Sequence, residues 1–200
     1  MLLADALSEA LGLPGSGTAH SPERRDKQRL AERLRACGLR AVPSFEVTTP
    51  EAAVAAAHES GPWPVVVKPL DSSGSDGLHF CHSEAAVRAA AQALLGRINF
   101  AGSLNRSVLV QRRIVGQQYF LLAVSRDGRH YVSEIWLDHR QSVSGAGVVC
   151  DLAVLLPADG DVQHELARYA RACLDAVGIR LGPSSLEIIV TADGPVLIDL

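Results

Sequence analysis

The chain has 200 residues, 48% of them hydrophobic and 20% charged, with a formal net charge of −3. That length suits one soluble domain or two small lobes, and the lack of a basic excess argues against nucleic acid as a partner. No apolar run approaches the ~20 residues that cross a bilayer, and four cysteines without a C-x-x-C spacing read as free thiols of a cytoplasmic protein.

Met1–Leu13 carries Leu2, Leu3, Ala6, Leu7, Ala10 and Leu11 at helical spacing, a stripe that needs a partner to cover it. Ser21-Pro22-Glu23 predicts the start of a second helix, with Leu30, Leu34 and Cys37 on its buried side and Gly38 at its end. Lys27 sits near its head, and on local grounds reads as a solvated charge beside Asp26. Thr49-Pro50-Glu51 opens an Ala-rich helix that stops at Gly61. The β-branched run Val65–Lys68 then predicts a buried strand with a lysine at its end, followed by the small-residue loop Ser72–Gly77. Such a loop lets backbone N–H groups approach an anion, although surface turns of this composition are common. Leu78–Cys81 reads as a returning strand, Ser83-Glu84 starts a helix ending at Gly96, and Ser107–Gln111 is a short strand running into Arg112. The first half thus mixes helices and short strands in a small lobe.

The second half is richer in strands. Asp127-Gly128 between Tyr119–Ser125 and Tyr131–Leu137 predicts a hairpin, and Val148–Leu156 a further strand. Asp161 opens a helix closed by Gly178, and Ser185–Val190 and Pro195–Leu200 flank Thr191-Ala192-Asp193-Gly194. Register decides the chemistry of this last hairpin. A three-residue loop over Ala192–Gly194 sets Glu187 opposite Asp199, where two carboxylates invite a cation. A two-residue Asp193-Gly194 turn sends them to opposite faces, each merely solvated. His139 and Arg140, after the Tyr131–Leu137 strand, read as a solvated pair that could also face a substrate.

Several of these stretches occur together in one family. Asp26-Lys27, the strand end Val66-Val67-Lys68-Pro69, the loop Ser72–Gly77, the run Val108–Tyr119, Gly182–Glu187 and Asp193–Asp199 follow in order from about Pro22 to Leu200. In that order the chain resembles the ATP-grasp superfamily, most nearly its carboxylate–amine (peptide-type) ligases. The resemblance implies an α+β fold of two lobes whose antiparallel sheets clasp a nucleotide. Residues 21–115 would form the first lobe, 116–200 the second, and 1–20 a helix and linker left from an upstream α/β domain.

It also implies roles. Lys27 and Lys68 would bind ATP phosphates and assist transfer, and Ser72, Ser73, Gly74, Ser75 and Gly77 would close over them. Gln111, Arg112 and Ile114 would meet adenine at the crossing between lobes, and Gln118 would stand where a ribose-binding glutamate is usual. Glu187 and Asp199 would hold Mg²⁺ or Mn²⁺. The expected reaction joins a small carboxylate to an amine through an acyl phosphate. Gln111 and Gln118 depart from the family's acidic residues, and its asparagine beyond the second metal carboxylate and its following arginine lie past Leu200. An internal piece of a ligase, completed by an upstream domain or a partner chain, is therefore expected. The alternative is a nucleotide-binding or interaction module without turnover.

Overall fold

The computed structural model describes residues 2–143 and 147–200. In chain order the elements are α1 (Leu2–Ala10), α2 (Lys27–Ala36), β1 (Ser44–Val47), α3 (Pro50–Ser60), β2 (Val65–Lys68), β3 (His79–Cys81) and α4 (Glu84–Leu94). There follow β4 (Val108–Arg112), β5 (Gln117–Arg126), β6 (Arg129–Val143), β7 (Gly147–Leu155), α5 (Asp161–Ala176), β8 (Gly182–Thr191) and β9 (Gly194–Asp199). The chain divides into two compact units, one of Asp26–Ala31 with Val42–Ile114 and one of Met1–Arg25, Glu32–Ala41 and Val115–Leu200. Both are α+β, built on antiparallel sheets.

In the unit built on Val42–Ile114, the four strands lie in the order β1-β4-β2-β3. Val65 and Val67 are fully buried with Val108 and Val110, and join Ala53, Ala56, Ala57, Val87, Ala90, Ala91 and Leu94 of α3 and α4 in one core. Alanine-rich helix faces let those two helices lie close on the sheet. Their starts are capped as the sequence predicts: Thr49 Oγ1 accepts from the Ala52 amide at 3.1 Å and Ser83 Oγ from the Ala86 amide at 3.3 Å.

Helix α2 starts later than expected. Ser21 does not cap it, because its hydroxyl donates instead to Asp5 at 2.5 Å. The cap is Asp26, whose Oδ1 accepts from the amides of Gln28 at 2.9 Å and Arg29 at 3.0 Å. Burial pushes the Asp26 pKa up despite those two bonds. The shift places Lys27, rather than Ser21, at the first turn.

The other unit holds a five-stranded sheet in the order β7-β6-β5-β8-β9. Leu121, Ala123, Leu186, Ile188, Val196 and Leu197 are buried, as are Leu166, Ala170, Cys173 and Leu174 of α5. Tyr169 of α5 ties the two layers, donating its hydroxyl proton to the Arg40 carbonyl at 2.7 Å and accepting from the Leu197 amide at 2.9 Å. The hairpin at Asp127-Gly128 forms as predicted, with φ of +54° and +76° at the two turn residues and Arg126 paired to Arg129. Gly116 admits no side chain, since a Cβ there would lie 2.1 Å from the Val190 carbonyl oxygen. Among the described residues no helix is long and apolar enough to cross a membrane.

Candidate functional site

Within the Val42–Ile114 unit, strand alternation decides which candidates share a surface. Val65 and Val67 turn into the helix-covered core, so Val66 and Lys68 turn the other way. Val66 pairs with Gln111 and Lys68 with Leu109, which brings Lys68 and Gln111 to one face of the sheet. Arg112 pairs with Val65 and lies on the opposite face, where it is exposed. Ile114 follows the strand and is half-buried.

The Ser72–Gly77 loop is held at its base. Lys27 is only 9% exposed, its amide donates to the Leu70 carbonyl at 3.0 Å, and its Nζ donates to the Ser72 carbonyl at 2.6 Å. Asp76 Oδ2 accepts from the Ser72 hydroxyl at 2.6 Å and from the Phe100 amide at 2.8 Å. Those two bonds hold the Asp76 carboxyl below the ordinary aspartate range. Ser73, Gly74 and Ser75 at the tip are exposed, and Ser75 takes φ +60°, a left-handed conformation costly for a residue with a side chain. Gly77 has φ +65° and a Cβ there would stand 2.6 Å from Leu94 Cδ2, so glycine is favoured where the loop rejoins the lobe.

In the other unit, Glu187 and Asp199 pair directly across β8 and β9 and so share a face. The route to that register differs from the expectation. The turn is not the three-residue loop over Ala192–Gly194, because Thr191 pairs with Gly194 and leaves only Ala192 and Asp193 between them. Regular pairing from there would set Glu187 opposite Ile198. A bulge between Glu187 and Ile188 takes up one extra residue of β9 and restores Asp199 as its partner. Leu186 and Ile188, on the other face, are fully buried.

The carboxylate pair has polar company on that face. Gln118 Nε2 donates to Glu187 Oε2 at 3.1 Å, and Arg140 Nη2 stands 3.7 Å from the same oxygen. Arg140 Nε donates to Asp138 Oδ2 at 2.7 Å. Phe120, paired with Glu187 on one side and Trp136 on the other, stacks on Trp136 with centroids 5.6 Å apart and planes 10° apart. The exposed Cys150 thiol has its pKa pushed up, first by its hydrogen bond to Asp138.

Two facing carboxylates are hard oxygen donors, the chemistry that suits Mg²⁺ or Mn²⁺. Among the described residues no group of three or more His, Cys, Asp or Glu side chains could hold a metal. Sequence reasoning missed Asp138 altogether and read His139 and Arg140 together, as a solvated pair that could also face a substrate. The alternation Asp138-x-Arg140 on one strand was the signal: it puts those two on one face and turns the exposed His139 away.

A match to the family described as "Carbamoyl-phosphate synthase L chain, ATP binding domain" covers residues 26–150. Dapdiamide A synthase of Enterobacter agglomerans is 30% identical over 199 residues, which are 99% of this chain and 47% of that protein. An L-amino acid ligase from Bacillus licheniformis superposes with a TM-score of 0.79 at 17% identity, over 100% of this chain and 45% of that one. The D-alanine–D-alanine ligase of Bacillus anthracis complexed with ATP superposes with a TM-score of 0.73 at 17% identity, covering 98% of this chain and 61% of that one. The chain therefore spans about half the length of dapdiamide A synthase.

Proposed function

The chain belongs to the family of the carbamoyl-phosphate synthase L chain ATP-binding domain, an ATP-grasp family, and from that premise we propose that it is the nucleotide-holding part of a carboxylate–amine ligase that forms an amide and releases ADP. The observation that carries the reading is the Glu187–Asp199 pair, two carboxylates placed face to face by a bulge rather than by the turn. Two carboxylates on one face offer hard oxygen ligands, so the arrangement suits a divalent metal brought in with a nucleotide.

In this reading Lys68, at the end of β2, and Lys27, at the head of α2, bind phosphate oxygens. Lys27 also fixes the Ser72 carbonyl, so the loop base and the phosphate contact share one ammonium. The exposed tip Ser73–Ser75 offers backbone N–H groups to the same anion, and Gly77 sets the loop's return. Gln111 lies on the Lys68 face and serves the nucleotide there. Arg112 and Ile114 continue the strand as backbone contacts to the base. Gln118 donates to Glu187 and orients that carboxylate, a role beside the ribose contact the resemblance implies. Bound Mg²⁺ or Mn²⁺ would supply charge neutralisation on the transferring phosphoryl group.

The reaction so assigned is the attack of a carboxylate oxygen on the γ-phosphorus, breaking its bond to the β–γ bridging oxygen and releasing ADP. An amine then attacks the acyl carbon and phosphate leaves. The acid and the amine are small molecules. All four cysteines are free, which supports a reducing, cytoplasmic setting.

Calorimetry of ATP binding with the Lys68→Ala variant tests the site. The expected loss is about 1–3 kcal/mol, the scale of a charged hydrogen bond. Unchanged affinity in a folded variant removes Lys68 from it. ADP release that requires both a carboxylate and an amine then separates a ligase from a module that binds ATP without turnover.

A further inference from the structure

Asp138 is 2% exposed, an unusual place for a carboxylate, and the Cys150 thiol hydrogen-bonds to it. Its Oδ2 accepts Arg140 Nε at 2.7 Å. Arg140 is half-buried, so the pair is a weak source of stability, and its effect is to hold the guanidinium in place. At its far end the guanidinium reaches Glu187 with Nη2 at 3.7 Å, beyond hydrogen-bond length. Arg140 is therefore gripped at Asp138 and only loosely engaged at Glu187. A guanidinium can do this because its Nε and Nη donors point to different partners from one rigid plane.

We propose that Asp138 is a positioning residue that holds Arg140 against Glu187 as a resident counter-ion, which a divalent cation displaces to gain Glu187 as a ligand. This rests on the reading of Glu187 and Asp199 as metal-binding carboxylates. Without metal, the guanidinium offsets the repulsion between those two facing groups. When metal arrives, two cations cannot both crowd the same Glu187 oxygen, and the looser contact is the one that yields. Nη2 withdraws while Nε stays on Asp138, so the positive charge remains on the face for an incoming oxyanion. Gln118 donates to the same Glu187 oxygen but is neutral, and does not compete.

The test is the Mg²⁺ concentration that half-saturates ATP binding, read by calorimetry on the whole chain. Arg140→Gln should lower it about threefold, the scale of a partly exposed ion pair. Asp138→Asn keeps an acceptor for Nε but removes the charge. The guanidinium then leans harder on Glu187, and the half-saturating concentration should rise about threefold. In the Arg140→Gln background, Asp138→Asn should move nothing further, because it acts only through Arg140. Additive shifts would reduce the pair to two independent charges and overturn the proposal.

If Asp138→Asn fails to fold by circular dichroism, Arg140→Lys takes its place, since a lysine's single point charge cannot span both carboxylates. A fall approaching that of Arg140→Gln supports the proposal, and a wild-type value overturns it. ATP binding with no metal dependence in the wild type removes the Glu187 reading and this inference together. Metal dependence with unmoved variants removes the inference alone.

Discussion

Lys27 Nζ donates to the Ser72 carbonyl at 2.6 Å, so a lysine at the head of one helix closes the base of the Ser/Gly loop. The ammonium is nearly buried, which makes the bond strong and its loss local. Lys27→Met should speed amide hydrogen exchange across residues 72–77 about tenfold without nucleotide, the equivalent of ~1.4 kcal/mol. Wild-type exchange in the variant would mean the loop is held by its other bonds.

Asp76 makes the same loop sensitive to acid. Its carboxyl is held below the ordinary aspartate range by the Ser72 hydroxyl and then by the Phe100 amide. A depressed folded-state pKa contributes stability above the unfolded value and loses it as pH falls through the folded one. The group is well exposed, so solvent screening keeps the contribution small. Protection of the Phe100 amide should hold above about pH 4 and fade below it. An Asp76→Asn variant should show low protection at every pH. Protection that is pH-independent in the wild type would detach Phe100 from the loop.

Glu187→Gln removes one of the two facing charges while keeping an oxygen in place. Metal-dependent ATP binding should then need about tenfold more Mg²⁺, a change of ~1.4 kcal/mol, and metal-free binding should hardly move. Equal losses with and without metal would point to misfolding of the hairpin, which thermal melting reports separately.

The cysteines give a readout of local charge. Cys81 and Cys173 are buried, with pKa values pushed up by burial to about 11 and about 12. They should resist alkylation near pH 8 until the chain unfolds. Cys37 and Cys150 are both exposed, but the Asp138 carboxylate raises the Cys150 pKa. Cys150 should react severalfold more slowly than Cys37, and Asp138→Asn should narrow the gap. Equal rates in the wild type would place Asp138 out of reach of the thiol.

Local devices were readable from residues alone. Thr49 and Ser83 announce helix starts because a capping hydroxyl needs only the next turn of chain, and Asp127-Gly128 announces a hairpin because its backbone conformation is intrinsic. The valine run before Lys68 announces a buried strand, because a β-branched apolar run suits a covered sheet. What escaped depends on contacts distant in sequence. Ser21 lost its capping role to Asp5, sixteen residues away. Asp138 looks like any surface acid until the sheet buries it beside Arg140. The bulge that aligns Glu187 with Asp199 leaves no trace in composition, because one added residue changes only the counting.

That counting has a consequence for how the sequence can drift. Between Thr191 and Gly194, Ala192 and Asp193 are surface positions where exchanging one side chain for another disturbs little. Length is a different matter. One codon gained or lost there slides β9 by a step along β8 and turns Asp199 away from Glu187, leaving the hairpin intact and the carboxylate pair broken. The same holds for the single surplus residue at the bulge. Descendants of this chain should therefore tolerate point changes in the turn while insertions and deletions are purged, and a library of one-residue indels across residues 191–198 would trace the limits of the site while keeping both carboxylates in the sequence.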